Sequence, residues 1–259
     1  MFSLFYIHCL QQLRVVDISG LSYLNVDLRT AFGIDRARDL LLIPSGQSDV
    51  AVSPQLFYAS RKLFNAAQKG QMVCVLRNPI ERELANYQEL VQTNSYLLQG
   101  ITSLQQYAEE FSMTENYMTR VLSGHEHGIS PATPKMLEIA KDVLRAKCLV
   151  GLHEQISASI NRAVKYLDLD SVVDTPPSSR SCIDDVVKRE LDLAYNLPRV
   201  KEGDSVYEAL ARRNSLDLEL YYYALGIFSE QGYTLFSGGM EPSDESKRLM
   251  HLDNKIFVG

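Results

Sequence analysis

Between Gln71 and Leu90 the chain reads QMVCVLRNPIERELANYQEL, and no other stretch constrains the fold as strongly. Met72 to Leu76 is a continuous apolar run with two valines and a cysteine, short enough for a buried strand and bounded at once by Arg-Asn-Pro. Pro79 suits the first position of a helix. Leu84, Tyr87 and Leu90 then recur at helical spacing among Glu81, Arg82, Glu83 and Glu89, which predicts a helix over 79–93. Arg77 therefore stands where a strand gives way to a helix. In open α/β sheets ligands bind at that edge, outside the carboxyl ends of the strands, and a helix N-terminus there presents unpaired N–H groups to an anion.

The segments before this stretch predict the same class of fold. Residues 14–27 mix β-branched and aromatic residues around Gly20, consistent with one or two short strands. Asp27 is placed to cap a helix over 28–42, and Ser53-Pro54 to open another reaching Ala67, with a brief strand over 49–52 between them. Strand, helix, strand predicts parallel pairing of 49–52 with 72–76.

Beyond residue 93, Ser103 to Phe111 is predicted helical, as is Pro131 to Lys147, whose stripe is Met136, Ile139, Ala140, Val143 and Leu144. A strand over 148–152 and a helix from about Glu154 follow. Residues 168–185, with VDTPPSSRS at their centre, read as a loop able to carry substrate contacts. From Glu202 onward two helices are expected, broken near Asn214, and the segment 238–259 reads as a frayed charged tail. One domain spanning 1–259 is the default at this length.

Four motifs, in order, give the chain a family resemblance. VLRNPIEREL resembles the strand-Arg-x-Pro-x-x-Arg segment of glycan sulfotransferases, the group containing heparan sulfate 2-O- and 6-O-sulfotransferases. Arg77, Pro79 and Arg82 match it, while the position of the family's serine is Ala85. The second, an Asn-x-x-Thr-Arg-x-Leu-x-Gly segment, is matched by Asn116, Thr119, Arg120, Leu122 and Gly124. The third is the helix-strand-helix run AKDVLRAKCLVGLHEQ, in which Gly151 permits close packing and Glu154 favours a positive helix end. The fourth is Asn214, Leu216, Asp217, Leu220, Tyr221, Tyr223 and Ala224, most of which are expected to pack rather than react.

The resemblance covers 20–232, leaving 1–19 atypical. It implies an α/β fold with a mainly parallel central sheet, flanking helices and a helical C-terminal part, of the P-loop NTPase-like sulfotransferase type. It implies 3′-phosphoadenosine 5′-phosphosulfate as co-substrate and a carbohydrate hydroxyl, on a glycosaminoglycan-like polymer, as acceptor. Arg77, Asn116, Thr119 and Arg120 are then the cofactor-binding candidates, the last three on one helix face. Family members are typically membrane-anchored in the Golgi. The family's phosphate-cradling loop, Lys-x-Gly-Gly/Ala-Ser/Thr-Thr, has no counterpart: no lysine precedes Lys62. No catalytic base is assigned either. The alternatives are therefore a truncated or inactive member that binds a glycan or nucleotide, or an interaction protein whose arginine-strand motif is a packing solution.

Composition narrows the partners. A net charge of −6 argues against a general nucleic-acid binder, which needs a basic face. No segment has the length and apolarity of a transmembrane span, and MFSLFYIHCLQQL lacks a basic leader, which points to a soluble variant or to a natural beginning outside this sequence. Cys9, Cys74, Cys148 and Cys182 form no CxxC pair, and His125-Glu126-His127 has no further ligand at a diagnostic spacing, so no metal site is expected. Cys74 and Cys148 sit in apolar strand-like runs, where a free cysteine behaves as a small hydrophobe.

Overall fold

The computed structural model describes residues 26–46, 51–125, 131–167 and 196–236, together with 185, 187 and 188 and the strand backbones at 16–18 and 21–23. A short antiparallel pair, β1 (Val16–Ile18) and β2 (Leu21–Tyr23), comes first. Two helices follow, α1 (Ala31–Asp39) and α2 (Leu56–Leu63). Both are shorter than the sequence pattern predicts. Thr30, not Asp27, caps α1, its hydroxyl accepting from the Gly33 N–H, while Asp27 is held outside the helix by the Arg29 side chain.

Among the described residues the pairing of 49–52 with the organising strand is not found. Asp49 and Val50 lie outside the described residues, and Ala51 and Val52 are not in a strand. The reason lies one residue on: the Ser53 hydroxyl donates to the Leu28 carbonyl and the Gln55 amide to the Arg29 carbonyl. These bonds pin the segment across the start of α1, where Ala51 joins Ile34, Ala37, Leu42, Ala59 and Leu63 in a small cluster of its own.

The organising strand forms as predicted. β3 (Met72–Leu76) runs into α3 (Pro79–Gln92), with Pro79 in the first turn and the Asn78 side chain accepting from the Ile80 N–H. After a 3-10 turn at Tyr96–Leu98 come α4 (Leu104–Glu110), capped by Ser103, and α5 (Tyr117–Leu122). α6 (Pro134–Lys147) starts later than the expected Pro131, because Thr133 supplies the cap and Pro134 the first turn. Its deepest residues are Leu137, Ala140 and Leu144. It feeds β4 (Cys148–Leu152), and a 3-10 turn at His153–Gln155 leads to α7 (Ile156–Tyr166). The described elements close with α8 (Ser205–Arg213), the predicted break at Asn214, and α9 (Ser215–Gln231), which widens into a π turn at Gly232–Phe236. Of the expected loop over 168–185, residues 168–184 lie outside the described residues and Asp185 is helical; the tail from 238 also lies outside them.

β3 pairs with β4 in parallel, Met72 opposite Cys148 and Leu76 opposite Leu152. The fold is thus α/β but mostly helical, and among the described residues its parallel sheet is this two-strand pair. β4, not β3, is the fully buried strand: every residue from Cys148 to Leu152 is enclosed, whereas Met72 to Val75 are half-buried and only Leu76 is sealed. Helices α6, α7 and α9 all pack on β4, and no described strand covers the other edge of β3. The outer edge of β4 is closed by a side chain. Gln231 donates to the Cys148 carbonyl and accepts from the Val150 N–H, supplying what a neighbouring strand would.

The main core joins Leu76, Met118, Leu122, Leu137, Leu144, Val150, Leu152 and Leu220 to Tyr221 and Phe228. A second cluster, built on Ile80, Leu84, Tyr107, Phe111 and Leu210, binds α3, α4 and α8 together. Gly151 has the packing role expected of it. A Cβ there would lie 3.0 Å from both Ser159 Cβ and Val75 Cγ2, so its absence lets α7 approach the strand pair.

Candidate functional site

At the carboxyl end of the strand pair, β3 delivers Arg77 and β4 delivers Glu154. Arg77 is drawn inward, its side chain 12% exposed. Its nearest charge is Glu81 one turn into α3, 3.7 Å from Nε, which is an ion pair but too long for a hydrogen bond. Nε and Nη2 are buried without any hydrogen-bond acceptor among the described residues. A guanidinium in that position carries a desolvation cost of about 1–3 kcal/mol per unmet donor, so it favours an oxygen-rich anion.

The adjoining α3 N-terminus is already occupied from within. Asn78 Oδ1 accepts from the Ile80 N–H, and the Asn78 N–H itself donates to Glu154 Oε1 at 2.8 Å. Glu154 thus favours a positive helix end, as its position suggests, but that of α3 across the sheet as well as its own. Tyr221 of α9 faces the same carboxylate. Burial first, and then the negative charge of Glu154, push the tyrosine hydroxyl well above its ordinary pKa. Arg77, Glu81, Glu154 and Tyr221 therefore line one edge, with carboxylates flanking the cation.

The other sequence candidates lie in a second assembly. Arg82 sends Nη1 to Asp217 Oδ2 at 2.8 Å, and Nη2 to Glu83 Oε1, the Thr114 carbonyl and Asn214 Oδ1. Glu83 is fully enclosed and takes two further donors, the hydroxyls of Tyr107 and Thr114. Asp217 accepts from the Met118 and Thr119 N–H groups, capping α5, while Asn116 Oδ1 accepts from the Leu216 and Asp217 N–H groups, capping α9. The first, second and fourth sequence motifs are thus tied together here.

This assembly alters the expected helix face. Asn116 precedes α5 in the left-handed region (φ 45°, ψ 42°) and is spent on α9 and on the Arg213 carbonyl. Thr119 is wholly buried, its N–H on Asp217 and its hydroxyl without an acceptor among the described residues. Arg120 turns back to the carbonyls of Glu115 and Met113. The three do not present a common face, because a residue spent on capping lies outside the helical turn. Of the four candidates, Arg77 keeps buried guanidinium donors and Thr119 a buried hydroxyl without a partner among the described residues, and of these two only Arg77 carries a charge to offer an anion.

Sequence reasoning missed Glu83 and Tyr107, the buried acid and its hydroxyl donor. The available signal was a carboxylate at the helical position just before Leu84, on the side that Leu84 and Ile80 bury. Ala85, in place of the family's serine, adds no hydroxyl. His125 bonds Ser123, and Glu126 and His127 lie outside the described residues, among which no group of three or more metal-ligating side chains assembles. No described helix is long and apolar enough to cross a membrane. Compared with protein-family models, with curated proteins and with solved structures, the chain matches none.

Proposed function

We infer that the chain is sulfotransferase-like, built to hold 3′-phosphoadenosine 5′-phosphosulfate and, where it is active, to pass the sulfuryl group to a carbohydrate hydroxyl. The reading rests on the four ordered motifs and, in the fold, on one observation. Arg77 leaves β3 beside a helix N-terminus with two buried guanidinium N–H groups that lack an acceptor among the described residues. That fits the family's use of the strand arginine for the 3′-phosphate. Asn116 and Arg120 are engaged with protein carbonyls, so phosphate binding at this edge falls to Arg77. The fold family implied is the P-loop NTPase-like one, with the Golgi as compartment.

A second reading is favoured by the buried assembly around Arg82. Those motif residues spend their hydrogen bonds on one another, which is what an inactive member that kept the scaffold, and binds a glycan or nucleotide, would retain. Calorimetric titration with 3′-phosphoadenosine 5′-phosphate tests nucleotide binding. Saturable binding that weakens at least tenfold in Arg77→Ala supports it, and no heat in the wild-type chain removes it. Transfer of labelled sulfate to a glycosaminoglycan then separates the active form from the inactive one.

A further inference from the structure

Met72 and Cys148 are register partners, and Cys74 lies two residues beyond Met72 on the same strand. Side chains two apart on a strand share a face, so Cys74 and Cys148 meet diagonally across the pair. Their sulfurs stand 2.7 Å apart with both cysteines free. That is far inside the usual separation of unbonded sulfurs and well outside the roughly 2.05 Å of a disulfide. Neither thiol belongs to the Arg77 edge, which lies at the opposite end of β4.

We propose that Cys74 and Cys148 are a redox couple that a peroxide closes into a disulfide joining β3 to β4. Cys74 as a residue is less enclosed than Cys148, although its thiol is covered, so the shorter path for the oxidant is to Cys74 and Cys148 resolves. The Cys74 thiolate attacks one oxygen of hydrogen peroxide; the O–O bond breaks, leaving a sulfenic acid, and the departing hydroxide takes a proton to become water. The Cys148 sulfur then attacks the Cys74 sulfur; the S–O bond breaks, and the hydroxyl leaves as water with the proton that Cys148 gives up. Two thiols and one peroxide become one disulfide and two waters. A dithiol returns the two electrons.

Two features shape the rate. The hydrogen bond to Cys148, reinforced by burial, raises the Cys74 pKa, so the thiolate is scarce at neutral pH and closure is slow there. The Cys148 carbonyl is held by Gln231, which keeps the resolving residue in place. Closed, the bond encloses α3, α4, α5 and α6 in one covalent loop that carries Arg77, Arg82 and Glu83, while Glu154, Asn214, Asp217 and Tyr221 lie outside it.

The test uses the full chain treated with hydrogen peroxide, unfolded in an alkylating agent, digested and read by mass spectrometry. The expected product is one peptide pair linked through Cys74 and Cys148, split by dithiothreitol and absent from Cys74→Ser and Cys148→Ser. Its rate of formation should rise about tenfold per pH unit while the thiol form dominates, and the melting temperature of the closed chain should rise. Recovery of both residues as alkylated thiols, conversion of Cys74 to sulfinic acid without a link, or pairing of either with Cys9 or Cys182 would overturn the proposal. No outcome depends on nucleotide binding.

Discussion

Asn116 and Asp217 cap each other's helices. The Asn116 amide oxygen takes the N–H groups of Leu216 and Asp217, and the Asp217 carboxylate takes those of Met118 and Thr119. Each residue satisfies the orphan donors at the start of the other's helix, so α5 and α9 hold one another at a fixed distance. Arg82 adds the charge that a fully enclosed Asp217 needs. The chain thereby couples two helix starts about a hundred residues apart through one buried carboxylate and one amide.

Removing the carboxylate should be severe. Asp217→Ala takes one of the two carboxylates from Arg82, leaving Glu83 as its counter-charge, and uncaps α5, so a loss of about 3–5 kcal/mol is expected in urea unfolding. A loss below about 1 kcal/mol would show that the ion pair contributes little.

Asn116 carries a backbone cost as well as a cap. Its positive φ of 45° is tolerated by Asn and Gly but strains Ala. Asn116→Ala should therefore be less stable than Asn116→Gly by about 1 kcal/mol, and equal stabilities would mean that the cap alone matters.

Tyr107 gives a pH signature. Burial, then the Glu83 charge, hold its hydroxyl well above the ordinary 10.0. The unfolded chain thus releases this proton first as pH rises through 10, so the native state loses stability above that point. Tyr107→Phe should cost about 1–3 kcal/mol at neutral pH, because Glu83 and Asn86 each lose a partner. It should also flatten the decline of stability above pH 10. An unchanged alkaline slope by denaturant titration would contradict this.

Gln231 is expected to protect the edge of β4. Gln231→Ala leaves the Val150 N–H and Cys148 carbonyl without their side-chain partners, at a cost of about 1–3 kcal/mol. Hydrogen exchange at Val150 should accelerate while that at Leu84, in the other cluster, stays near its wild-type value relative to global stability. Unaltered Val150 exchange would mean that the side chain adds nothing to the ladder.

Local chemistry in the sequence was enough to place β3, α3, α4, β4 and the break at Asn214. Their signals are self-contained: an apolar run ended by Asn-Pro, a serine before a helical stripe, an apolar run after basic residues. It was also enough to put Arg77 at a strand exit. Where several polar residues lie near a helix start, local chemistry misplaces the cap: the sequence pointed to Asp27, and the structure gives the place to Thr30, with Ser53 and Gln55 bonded to the carbonyls of the preceding turn. Which strand pairs with which, and that Asn116, Asp217, Arg82 and Glu83 form one buried assembly, depends on contacts between residues about thirty to more than a hundred apart. Spacing along a chain reports which residues share a turn of helix or a face of strand; it carries no record of which distant donors and acceptors will be sealed from water together, and burial is what makes those partners obligatory.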